Sequence, residues 1–176
     1  TPANMKGYQI AITGLNGGHS GMDINLGRAN ANKLMTRILS SATEKCGIRL
    51  FTFHGGNLRN AIPREAVAVI AVPEENEKAF TKLVNAVAKE VKSEFANTEA
   101  TMTIKAKAVE TPAKVMGKCY QERILDMIYA LPHGVLRMSD SVPGLVETSN
   151  NLAIVKVEKG HVEISSLMRS SVDSAK

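Results

Sequence analysis

Residues 77–95 place Phe80, Leu83, Val84, Val87, Ala88, Val91 and Phe95 at spacings of three and four, which makes one stripe of an α-helix apolar and leaves the rest charged. A helix of that kind must lay its stripe on another surface. Acidic Glu74 and Glu75 just ahead of it suit a helix N-terminus. On either side the period falls from 3.6 to two. Tyr8, Ile10 and Ile12 alternate with Gln9, Ala11 and Thr13, and Met102, Ile104, Ala106 and Ala108 alternate with Thr and Lys. Between them Ala66 to Val72 is a continuous apolar run bounded by Pro73, the pattern of a central strand. Helices on one face of an antiparallel sheet satisfy all of these segments.

A second amphipathic helix carries Ala31, Leu34, Met35, Ile38, Leu39 and Ala42, with Asp23 or Asn25 as its expected N-cap and its end near Gly47. Ile48 to Phe53 is β-rich and is interrupted at Gly55-Gly56-Asn57. The order over residues 1–110 is therefore β-α-β-β-α-β, a split βαβ arrangement. From residue 111 a helix follows Pro112, with Val115, Met116, Tyr120, Ile124, Ile128 and Leu131 on its apolar side. After a long loop come strands at Leu152 to Val157 and Val162 to Met168, flanking the turn Glu158-Lys159-Gly160. The predicted fold class is α+β: a two-layer sandwich of antiparallel sheet and helices, with a partial second β-α-β-β repeat. The expected organisation is one domain, 1–176, with subdomains of about 1–110 and 111–176. Ser171 to Lys176 resembles the start of a helix with nothing behind it, so the expectation is a piece excised from a longer protein.

With 176 residues and 44% apolar content the chain can bury a real core. Its net charge of +5 is scattered, without the clustered lysines and interleaved aromatics of a nucleic-acid surface. No apolar run approaches a membrane span, and residues 1–7 lack the pattern of a signal peptide. Cys46 and Cys119 fall outside any CxxC or metal-type spacing and read as free thiols of a reducing, cytoplasmic setting. The expectation is no nucleic-acid and no membrane partner.

Chemistry concentrates at few positions. His19 lies in Gly14-Leu15-Asn16-Gly17-Gly18-His19-Ser20-Gly21, among glycines that let the backbone turn and let another molecule approach. Asn60 precedes Ala61-Ile62-Pro63, where the proline fixes an extended entry to the apolar strand. Arg169 ends the last strand and has the fork geometry that grips a carboxylate. Arg59 and the loop Arg137 to Asn151 complete the polar clusters, while His54, His133 and His161 read as structural or surface residues. There is no GxSxG elbow, no CxxC, no phosphate-binding loop, no GxGxxG and no spaced metal pair. An imidazole, an amide and a guanidinium are hydrogen-bond donors suited to an oxyanion and a carboxylate; a nucleophile and a metal would come from elsewhere.

The block from Gly14 to Gly21, with Gly27-Arg28-Ala29-Asn30-Ala31-Asn32-Lys33-Leu34, is followed by Arg59-Asn60-Ala61-Ile62-Pro63-Arg64-Glu65-Ala66. Then come Arg137-Met138-Ser139-Asp140, Gly144 to Leu152, and Leu167-Met168-Arg169-Ser170-Ser171-Val172-Asp173-Ser174. Together these resemble the cytosolic aminoacyl-histidine dipeptidases, the carnosinase-like Xaa-His dipeptidases of the dinuclear zinc peptidase clan. The resemblance implies a two-domain enzyme whose catalytic domain holds two zinc ions, with this chain as its inserted lid or dimerisation domain. It implies no metal on this chain, no activity for it alone, a dipeptide substrate such as beta-alanyl-histidine, the catalytic domain of the same polypeptide as partner, and a possible homodimer. Within the family pattern His19 matches the histidine that stabilises the oxyanion, Asn60 a substrate-contacting amide, and Arg169 the arginine that pairs with the dipeptide's carboxylate. A noncatalytic dimerisation module is the alternative.

Overall fold

The computed structural model describes residues 1–176 and has nine strands and three α-helices. Strand β1 spans Met5–Thr13, and a two-residue strand β2, Gly18–His19, follows it. Helix α1 is Ala31–Cys46. Then come β3 (Arg49–Gly55), the short β4 (Ala61–Ile62) and β5 (Ala66–Pro73). Helix α2 (Glu77–Glu94), β6 (Thr103–Val109) and helix α3 (Lys118–Ala130) lead to β7 (Gly134–Met138), β8 (Val146–Glu158) and β9 (His161–Ser170).

Seven strands form one antiparallel sheet in the order β6-β1-β5-β3-β8-β7, with β9 also on β8; β2 and β4 pair separately. In β8, residues 148–158 pair with β9 along one edge. That overlaps the stretches paired with β7 and with β3, so these two strands must share the opposite edge, β7 toward the start of β8 and β3 toward its end. The predicted alternation holds in β1, where Ile10 and Ile12 are fully buried under the helices while Gln9, Ala11 and Thr13 face the other way. The helices cover one face. Ile10, Leu39, Phe53, Ile70, Phe80, Val84 and Val155 belong to one apolar cluster, and Tyr8 meets Phe80 edge-on at 5.2 Å.

Capping explains where α1 sits, and it corrects the expected N-cap. Asp23 and Asn25 belong instead to a separate 3-10 turn around Ile24–Leu26. The cap is Asn30, whose side-chain oxygen accepts hydrogen bonds from the backbone N–H groups of Asn32 (2.9 Å) and Lys33 (3.2 Å). At the other end Gly47 takes the left-handed conformation, φ 65°, and its N–H reaches Thr43. The β8–β9 hairpin turns through Lys159 and Gly160, both at positive φ, as the polar turn predicts.

The expected loop Arg137 to Asn151 is the second correction: it contains the end of β7 and the first half of β8. Its polar residues Glu147, Thr148, Ser149, Asn150 and Asn151 are all buried, so a hydropathy pattern alone marks them as loop. Ser171 to Lys176 holds a 3-10 turn at Asp173–Ala175. Cys46 is buried and Cys119 exposed, both as free thiols. No helix is long and apolar enough to cross a membrane.

Candidate functional site

His19 is set by its own backbone. Its N–H donates to the Asp23 carboxylate at 2.8 Å, and the Asp23 N–H donates back to the His19 carbonyl at 2.9 Å, which closes the turn twice. Asp23 also faces Arg28 at 3.5 Å, and Arg28 donates to the Gly17 carbonyl at 2.6 Å. The segment before the histidine packs so tightly on this pair that a Cβ on Gly18, at φ 137°, would lie 2.3 Å from the Arg28 guanidinium. Further back, buried Glu99 accepts from the N–H of Asn16 (2.7 Å) and of Ala29 (2.9 Å), tying together both ends of the loop that carries the histidine.

The imidazole itself has one defined polarity. Nδ1 accepts hydrogen bonds from the backbone N–H groups of Gly21 and Met22, each at 3.2 Å. An accepting Nδ1 carries no proton, so the neutral ring holds its hydrogen on Nε2. Nε2 makes no bond within the chain, and the side chain is exposed. The result is an N–H donor aimed outward from a braced loop.

Asn60 and Arg169 reach this histidine by different routes. Strands β2 and β4 pair His19 with Ala61, and the N–H of Ser20 donates to the Asn60 carbonyl at 2.8 Å. The Asn60 side chain is exposed. Arg169 lies opposite Ser149 in the β8–β9 ladder, at the other end of the chain, yet it meets the same loop. A Cβ on Gly21 would sit 3.2 Å from Cε1 of His19 and 3.3 Å from Nε of Arg169. Imidazole and guanidinium thus flank the one residue there that has no side chain. No carboxylate lies within ion-pairing distance of Arg169, which leaves its fork open.

The other sequence candidates fall elsewhere. His54 pairs with Glu158 at 3.2 Å on the outer side of the sheet, and His161 opens β9 beside the same turn. His133 is half-buried: its Nδ1 lies 3.0 Å from the side-chain nitrogen of Asn30, and burial together with the Lys33 cation lowers its pKa from 6.5 to about 4. No three His, Cys, Asp or Glu side chains converge anywhere in the chain. Sequence reasoning missed the Asp23–Arg28 brace and the Glu99 tie. Asp23 and Arg28 are five apart beside the histidine, which is a readable signal; Glu99 carries none, because its partners are backbone groups far away in sequence.

Residues 10–118 match the family model described as a peptidase dimerisation domain. Over 175 residues the chain is 39% identical to the cytosol non-specific dipeptidase of Escherichia coli (strain K12), covering 99% of this chain and 36% of that protein. The crystal structure of the aminoacylhistidine dipeptidase from Vibrio alginolyticus superposes with a TM-score of 0.96 at 41% identity, again over 99% of this chain and 36% of that one. The chain thus spans little more than a third of the length of either relative. The match runs from within β1 through the His19 loop, Asn60 and helices α1 and α2, so the chain belongs to the peptidase dimerisation domain family.

Proposed function

We propose that this chain is the lid domain of a metal-dependent cytosolic dipeptidase and supplies three of the groups that hold a dipeptide while its peptide bond is cleaved. His19 donates through Nε2–H to the carbonyl oxygen that gains negative charge in the transition state. Arg169 pairs with the C-terminal carboxylate through two parallel hydrogen bonds, and Asn60 contacts the substrate from the neighbouring loop. The observation that carries this reading is the pairing of an outward Nε2–H and an unpaired guanidinium across Gly21.

The substrates of this proposal are Xaa-His dipeptides such as beta-alanyl-histidine, in line with the name of the Vibrio relative; the broader name of the Escherichia coli relative fits a clamp that reads a carboxylate common to all dipeptides. This chain's residues do not fit a dinuclear zinc centre. In the proposal the two zinc ions belong to the catalytic domain of the same polypeptide, and no step assigned to this chain runs through them.

In the full-length enzyme, His19→Ala is expected to lower kcat by about two to three powers of ten with little change in KM, as loss of an oxyanion donor does. Arg169→Lys is expected chiefly to raise KM, because an ammonium cannot form the planar fork. The family description favours a second reading, a module that only pairs two copies. Unchanged turnover in both variants would establish that reading.

A further inference from the structure

Five consecutive polar residues, Glu147 to Asn151, are buried in β8, where burial costs free energy unless the groups are bonded and well placed. Three of them reach different segments, β7, the turn before it and the Asn60 loop. Glu147 faces Arg137 at 3.4 Å. Asn150 donates to the Pro132 carbonyl at 2.6 Å. Asn151, only 1% exposed, donates through one amide nitrogen to the carbonyls of Arg59 (3.1 Å) and Ala61 (2.8 Å), the residues on either side of Asn60.

We infer that Asn151 is the positioning residue that fixes the spacing between the two arms of the site, an inference that rests on the lid reading for its catalytic consequence. One arm is His19 with Asn60: Ala61 pairs with His19 across β2 and β4, and Ser20 is bonded to Asn60. The other arm is Arg169, carried by β9, where Leu167 lies opposite Asn151 and Arg169 opposite Ser149. The Asn151 amide is the side-chain link between β8 and the Asn60 loop, and it grips that loop at two carbonyls. Its own oxygen, Oδ1, is buried without a partner. A leucine has the same branched outline with no such orphan, so packing alone does not account for an amide here; its two donated bonds do.

The test uses the full-length enzyme carrying Asn151→Leu, with Asn151→Asp as a second variant of nearly unchanged size and Asn150→Leu as control. Amide hydrogen exchange is followed over residues 18–20 and 59–62, and kcat/KM is measured alone and combined with Asn60→Ala. The expected result for Asn151→Leu is exchange at least tenfold faster in both segments. The loss in kcat/KM should be shared with Asn60→Ala, so that the double variant is no worse than the poorer single one. Asn150→Leu should leave exchange in those segments unchanged. Should Asn151→Leu fail to fold, Asn151→Asp carries the test, and lowering the pH should restore part of the protection because a neutral carboxyl can donate to one carbonyl. Unchanged exchange, equal changes in the Asn150 control, or additive losses in kcat/KM would overturn the assignment. Faster exchange with normal turnover in both Asn151→Leu and His19→Ala would instead overturn the lid reading and leave the brace intact.

Discussion

Acidification should weaken this fold through His133 in a defined window. The ring sits behind the N-terminus of α1, where its Nδ1 accepts a hydrogen bond from the Asn30 side chain and Lys33 stands nearby. Burial, as the larger cause, and the Lys33 charge both oppose protonation, which places the native pKa at about 4 against an ordinary 6.5. Above pH 6.5 the ring is neutral in the folded and unfolded chains alike, and its contribution is constant. As the pH falls from 6.5 toward 4 the unfolded chain takes up a proton that the native one refuses, so stability is lost across that interval. At about 1.4 kcal/mol per pKa unit the loss totals at most about 3 kcal/mol. Chemical denaturation of the chain at a series of pH values, compared with His133→Gln, measures it: other titrating groups are common to both, so the difference between the curves isolates His133. The variant is expected to start less stable at pH 7 and to lose less on acidification. Parallel curves for the two proteins would refute the reasoning, because they would mean that the ring accepts a proton where it is packed.

Three further outcomes follow from the geometry. Gly21→Ala is expected to cost less than about 1 kcal/mol, since the imidazole and guanidinium it would crowd are exposed and can move, yet to lower kcat/KM about tenfold or more by displacing both; unchanged kinetics would contradict the placement. Lys33 donates to the carbonyls of Tyr129 (2.6 Å) and Leu131 (2.9 Å) at the end of α3, and Lys33→Met should lower stability by about 1–2 kcal/mol, read from the denaturation midpoint. Gly56→Ala, at φ 71° with a Cβ only 1.9 Å from the Ala153 carbonyl oxygen, should cost more than about 2 kcal/mol in the same assay.

Elements with one dominant period were legible in the amino-acid sequence. Helix α2 and strands β1 and β6 carry apolar stripes at 3.6 and at two, and Lys159-Gly160 marks its hairpin by composition alone. What failed was polar residues in unusual settings. Glu147 to Asn151 are polar yet buried in a strand, where Glu147 and Thr148 bond to neighbouring strands and Asn150 and Asn151 hold loops, a reason invisible to hydropathy, and β7 escapes the pattern because it is short and largely exposed. The N-cap of α1 was misplaced because Asp23, Asn25 and Asn30 are all suitable residues, and only the separate turn at Ile24–Leu26 decides among them. For the candidate site, the glycines around His19 and the end of β9 single out two side chains that the fold brings to one loop. Their meeting at Gly21 depends on sheet register and on how β9 follows β8, which local sequence does not encode.

The two parts of the sheet are joined along a short seam, since of β3 only Phe53 to Gly55 pair with β8, at Val155 to Val157. His19, on the separate β2–β4 pair, and Asn60, just ahead of β4, come before that seam in the chain, and Arg169, on β9, comes after it. A rotation about the seam would change the gap between donor and guanidinium, and the Asn151 amide, which crosses from β8 to the carbonyls of Arg59 and Ala61, opposes it. On the lid reading, the span offered to a dipeptide is a property of this joint, set by residues that make no contact with the dipeptide itself.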